Sequence, residues 1–144
     1  MDAWTRFAES IFRINGLLMQ AGEGITRPLG QSSARWQVLG GVGYGPRTVA
    51  DIAKSIGHAR QSVQRVADAL ANEGLVVFRD KPDDKRTSLL ELTPAGLKVL
   101  TAIYNRQVKW SARITRKLGA EQLDAQAAAL IEIAKVIASD VDKP

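Results

Sequence analysis

The chain has 144 residues, 45% hydrophobic and 24% charged, with 20 Lys or Arg against 15 Asp or Glu and a formal net charge of +5. That length closes one hydrophobic core and leaves any further apolar surface for a partner to bury. With no cysteine and a single histidine, it excludes disulfides, thiol redox sensing, cysteine zinc sites and any histidine-based triad built with a thiol nucleophile.

Trp4, Phe7, Ala8, Ile11, Phe12, Leu17 and Leu18 keep a helical period and predict a first helix from Trp4 to about Met19. QAGEGITRPLG follows and reads as a loop, because its glycines and proline punctuate a helix heavily. Ser32 or Ser33 is expected to cap a second helix carrying Trp36, Val38 and Leu39, which ends in GGVGYGP. Thr48 is the expected N-cap of VADIAKSI, where Val49, Ile52, Ala53 and Ile56 share one face, and Gly57 stops it. A further helix from about Arg60 to Asn72 turns Val63, Val66, Ala67 and Leu70 inward. Two helices split by a glycine turn make a helix-turn-helix candidate.

LVVFR and TSLLEL suit short strands, and the polar DKPDDKR between them reads as a turn or wing, since Pro82 and its charged neighbours do not sit inside a sheet. Thr93 and Pro94 start a long helix to about Leu118, with Leu97, Leu100, Tyr104, Val108, Ser111, Ile114 and Leu118 along a seam. Gly119 interrupts it. The last helix, about Glu121 to Ala138, repeats Leu123, Ala127, Leu130, Ile131, Ala134 and Ile137. The expected fold class is mainly α: a winged helix-turn-helix with a two-stranded β wing and long N- and C-terminal dimerisation helices. In this single chain, 1–144, the lobe is assigned to 32–96 and the dimerisation helices to 1–22 and 97–140. Their apolar faces exceed what one small lobe covers, so a homodimer is expected.

Between Arg47 and Arg86 basic residues exceed acids by only two, so orientation matters more than net charge. The helix from Arg60 turns Gln61, Gln64, Arg65 and Asp68 away from its apolar stripe. Arginine and glutamine can pair with base edges in a major groove that a helix is the right width to enter. Arg60, Gln61, Ser62, Gln64 and Arg65 form the candidate major-groove set, with Arg60 and Ser62, in the first turn, best placed for phosphates. Lys81, Asp84, Lys85 and Arg86 form the candidate wing set: Arg86 suits a narrow, electronegative minor groove, and Asp84 is placed to orient its guanidinium. Thr48 and His58 are candidate phosphate contacts.

These features resemble the MarR family of bacterial winged helix-turn-helix regulators. The likeness runs from ARWQVLGGV through TVADIAKSIGHARQSVQRVADALANEGLV to DKPDDKRTSLLELTPAG. Its most specific element is the wing signature carried by Asp84, Arg86, Leu89, Leu90, Leu92, Thr93 and Gly96. The resemblance implies a homodimer on a near-palindromic double-stranded DNA operator, and repression relieved by a small, often aromatic or phenolic ligand. Such proteins usually have Ser or Thr before the recognition helix, where this chain has Ala59; a missing cap oxygen costs about 0.5–2 kcal/mol. Without cysteine, the peroxide-sensing branch is excluded.

A ligand that shifts the protein must bind its DNA-competent and incompetent states unequally, which points to the junction of dimer helices and lobe. Asn15, Met19, Trp36 and Tyr104 are the effector-pocket candidates there. Lys98, Arg106, Lys109, Arg113, Arg116 and Lys117 run along the long helix with no acid among them; pairing with acids of the final helix and solvation explain them more simply than an anionic effector or weak DNA steering. No catalytic or metal-binding constellation is present, no cofactor is expected, and GGVGYGP lacks the Gly-Lys-Ser/Thr ending of a phosphate loop. With no apolar run long enough to span a bilayer and no signal-like start, no membrane partner is expected and the location is cytoplasmic. The competing function is a winged-helix adaptor that contacts proteins without specific operator binding.

Overall fold

The structure of the protein, a computed structural model, describes residues 1–141 and 143. Elements run α1 (Ala3–Thr26), a 3-10 turn (Arg27–Leu29), α2 (Ser33–Gly41), α3 (Val49–Ile56), α4 (Arg60–Asn72), β1 (Val76–Lys81), β2 (Asp84–Leu92), α5 (Pro94–Leu118) and α6 (Ala120–Val141). The chain forms two compact units, Met1–Asn105 and Arg106–Pro144.

In the first unit, α1, α2 and α3 start on side-chain caps, as α5 does on Thr93. Asp2, Ser32 and Thr48 accept from the N–H of Thr5, Arg35 and Asp51 at 2.9, 3.1 and 3.1 Å, each satisfying a donor that the first turn leaves without an intrahelical partner. The α1 helix does not stop near Met19, as its glycines suggested, but continues through QAGEGIT to Thr26. Tertiary packing overrides the propensity: at Gly22 a Cβ would lie 2.3 Å from Ser33 Oγ, so glycine lets α2 approach. The Ser33 hydroxyl then donates to the Met19 carbonyl at 2.9 Å, and Thr26 donates to the Gly22 carbonyl at 2.7 Å. Gly57 ends α3 at φ 69°, the left-handed conformation that a side chain would penalise.

Leu39, Ile52, Ala67, Leu70, Leu90 and Ile103 are fully buried, one or more from each of α2, α3, α4, β2 and α5. Burying each of the larger side chains contributes roughly 1.5–3 kcal/mol, which holds the helix-turn-helix against the hairpin. The hairpin is longer than LVVFR and TSLLEL alone. Most of DKPDDKR is strand, and only Pro82 and Asp83 lie between β1 and β2. Antiparallel pairing runs from Val76 with Leu92 to Asp80 with Ser88, then shifts register so that Lys81 faces Asp84. Backbone hydrogen bonding extends the ribbon where hydrophobic alternation has ended. Arg47 adds a third, one-residue rung: its N–H donates to the Leu90 carbonyl at 3.0 Å, and the Leu90 N–H donates back at 2.7 Å.

The wing is locked to α5 at its base. The Thr93 hydroxyl accepts from the Gly96 N–H at 3.0 Å and donates to the Gly74 carbonyl at 2.7 Å. A Cβ at Gly96 would fall 1.9 Å from the Leu75 carbonyl oxygen, so this crossing is possible only without a side chain.

The second unit holds the rest of α5 and α6, with Gly119 between them. α6 begins one residue earlier and ends three later than its apolar repeat suggested. It has no buried residue: Leu130, Ile131, Val136, Ile137 and Val141 are all exposed. On α1, in the first unit, Trp4, Phe12, Ile14, Leu17 and Leu18 are also exposed, each by more than half.

Candidate nucleic-acid interface and adjoining clefts

Ala59 precedes α4 with φ −66° and ψ 139° and supplies no side-chain cap. The Ser62 and Val63 N–H groups instead donate to its carbonyl at 3.1 and 3.2 Å. Val63, Ala67 and Leu70 are buried and Val66 is half-buried, which leaves Arg60, Gln61, Ser62 and Arg65 exposed. Gln64 is half-buried and donates from Nε2 to Asp68 Oδ1 at 2.9 Å, one helical turn on. That bond fixes the amide so that its carbonyl oxygen remains available as an acceptor.

Asp84 organises the wing differently from the sequence expectation. Its Oδ1 accepts from the Arg86 backbone N–H at 3.0 Å and its Oδ2 from the Thr87 hydroxyl at 3.0 Å. These bonds hold its carboxyl below the usual carboxylate range. The Arg86 guanidinium is secondary: its Nε lies 3.6 Å away and the side chain is 95% exposed, so the pair adds little stability but leaves the cation projecting. Lys85 is exposed and Lys81 half-buried.

A polar groove of about 490 Å³ connects these elements, lined by Thr48, Val49 and Ala50, by Arg60, Gln64 and Asp68, and by Phe78, Arg86, Thr87 and Ser88. It brings together Thr48, Arg60, Gln64 and Arg86 from three separate segments. Thr48 uses its hydroxyl oxygen as the α3 cap, leaving the proton for another acceptor. Gln61, Ser62, Arg65, Lys81 and Lys85 lie outside the groove lining. So does His58, exposed in the turn, with its N–H on the Ala53 carbonyl at 3.0 Å.

One contact has no local sequence signal. Arg35 on α2 forms a two-pronged ion pair with Glu73, just past α4, at 2.6 and 2.9 Å, and its Nε donates to Gln31 at 2.7 Å. The guanidinium hydrogen bonds hold the Glu73 carboxyl below the usual carboxylate range. Partners 38 residues apart meet only once the lobe has folded.

Behind the helix-turn-helix, a cleft of about 330 Å³ is lined by Trp36, Gly40, Gly43, Tyr44, Leu97, Leu100, Thr101 and Tyr104. It unites two of the sequence-predicted pocket residues, Trp36 and Tyr104. The other two are elsewhere on α1: Asn15 is exposed, and Met19 meets Ser33 through its carbonyl. Leu97, Leu100 and Tyr104 share the periodic seam already legible in the sequence, whereas Tyr44 was hidden in a glycine-rich turn. A second cleft, about 470 Å³, shares Gly43, Tyr44 and Leu97 and continues to Glu91 and Thr93.

Among the described residues, the ion pairs of the α6 acids are local, Glu132 with Lys135 and Asp140 with Lys143. None joins Lys109, Arg113, Arg116 or Lys117 to α6, contrary to the pairing expected from sequence. Among the same residues no acidic or histidine cluster is arranged to hold a metal, and no helix is long and apolar enough to cross a membrane.

A helix-turn-helix joined to a β wing, with long flanking helices, defines a winged helix-turn-helix protein. A family profile described as MarR family matches residues 24–87. The chain is 36% identical over 124 residues to Uncharacterized protein Rv2011c of Mycobacterium tuberculosis, a match covering 86% of this chain and 87% of that protein. Among solved structures, CouR from Rhodococcus jostii RHA1 bound to p-coumaroyl-CoA is similar, with TM-score 0.80 and 20% identity over 89% of this chain and 91% of that one. NadR in complex with 4-hydroxyphenylacetate gives TM-score 0.81 and 23% identity over 88% and 91%. The chain belongs to the MarR family, and at that level it is a DNA-binding transcription regulator.

Proposed function

We propose that the protein is a sequence-specific regulator that binds a near-palindromic double-stranded operator as a homodimer in the cytoplasm, and that a small aromatic ligand releases it. In this reading residues 32–96 are the DNA-binding lobe, and the helices in 1–22 and 97–140 pair with those of a second copy. The exposed apolar residues of α1 and α6 support that pairing, since such faces need a partner in water. Gln61, Gln64 and Arg65 read base edges in the major groove, while Arg60, Ser62, Thr48 and His58 meet phosphates. Lys81, Lys85 and Arg86, ordered by Asp84, follow the flanking backbone and minor groove.

The observation that carries this reading is the polar groove lined jointly by Thr48, Arg60, Gln64 and Arg86. The aromatic cleft supports a ligand, and one contact supports its coupling to DNA. Trp36 in the cleft is the neighbour of Arg35, which grips the end of α4 through Glu73. A ligand that moves α2 therefore acts on the recognition helix, provided it binds the two states unequally. In this reading the bound protein represses.

The test is selection of bound duplexes from genomic fragments with the full chain. An enriched inverted repeat, bound by two copies with affinity falling steeply as salt rises, is the expected result. Uniform, site-independent binding would remove the proposal.

A further inference from the structure

Resting on the ligand-responsive reading above, we propose that the cleft between α2, the Gly43–Tyr44 turn and the first half of α5 accepts an uncharged planar aromatic molecule and discriminates against its carboxylate counterpart. The walls are Trp36, Tyr44 and Tyr104 with Leu97 and Leu100, which include both tyrosines of the chain. Flat aromatic walls favour a flat ligand through stacking and edge-to-face contact. The polar handles are the Thr101 hydroxyl and the two phenols, all neutral donors or acceptors.

No Lys, Arg or His belongs to the lining. Lys98 follows Leu97 in sequence but lies about 100° further round the helix and stays outside it. In the adjoining cleft the one charged residue is Glu91, an anion itself, bonded to Arg79 Nε at 2.5 Å. A carboxylate entering the aromatic cleft thus gives up water and gains no cation from the lining, whereas an amide or phenol gives up less and can use the same neutral handles. The volume of about 330 Å³ suits one or two fused rings.

The experiment titrates the full chain at neutral pH and fixed salt with matched pairs: benzamide and benzoate, 4-hydroxyphenylacetamide and 4-hydroxyphenylacetate, indole-3-acetamide and indole-3-acetate. Calorimetry reads binding. At least one amide is expected to bind about tenfold or more tightly than its acid, the discrimination that an unpaired, desolvated carboxylate implies. Thr101→Lys, at an exposed position of α5, is expected to reverse the order by placing a cation in the cleft. If no amide outbinds its acid in the wild-type protein, or if the lysine leaves the order unchanged, the inference is overturned. Duplex selection without probes is read separately. Retained site-specific DNA binding alongside either of those results overturns the ligand class alone, and loss of site-specific binding overturns the regulatory reading.

Discussion

Ala59→Ser supplies the cap that α4 lacks, and its neighbours allow the effect to be sized. The backbone at Ala59 (φ −66°, ψ 139°) is close to that of Thr48 (φ −74°, ψ 152°), whose hydroxyl caps α3. A serine needs no rearrangement to present its Oγ to the Ser62 N–H, and Ala59 is exposed, so no packing changes. The Ser62 N–H already reaches the Ala59 carbonyl at 3.1 Å, so part of the usual gain is present. We therefore expect about 0.5–1 kcal/mol of stabilisation, the lower part of the capping range. Urea unfolding at fixed protein concentration measures it as a higher midpoint with an unchanged slope. Ala59→Asp adds a comparable cap and a favourable charge at the helix N-terminus. It should stabilise the fold to at least the same degree, yet weaken duplex binding by roughly tenfold at low salt, because the carboxylate sits where a phosphate would approach. Serine without stabilisation refutes the capping argument; aspartate that stabilises but leaves DNA affinity intact refutes the placement of phosphate at this end of α4.

Arg86→Ala should weaken duplex binding and lower the salt dependence by about one counterion per lobe, measured by titration over a salt series, with the dimer intact in sedimentation. Glu73→Gln removes the charge gripped by Arg35. Because the folded carboxyl is held below its unfolded range, the wild-type advantage is full above the unfolded pKa and disappears as pH falls through the lowered folded one. Paired urea melts at neutral and acidic pH should converge on the acid side. Gly96→Ala drives a Cβ against the Leu75 carbonyl and should cost at least about 2 kcal/mol in the same melts.

The sequence by itself determined what depends on neighbours a few residues apart. Periodicity and capping located α2, α3 and α4 and the start of α5, because hydrogen-bond caps and apolar stripes are set by residues within a turn or two. The outward face of α4 and the wing signature were legible for the same reason, and so was the DNA-binding family. Tertiary structure decided what depends on contacts between distant segments. It carried α1 past its glycines because α2 packs on Gly22, extended the hairpin into a charged segment, and joined Arg47 to Leu90. It paired Arg35 with Glu73, and it gathered Trp36, Tyr44 and Tyr104 around one cleft while leaving Asn15 and Met19 on another helix. A local pattern records which face a residue occupies, but the residue opposite that face is chosen only when the core closes and distant segments compete for the same space.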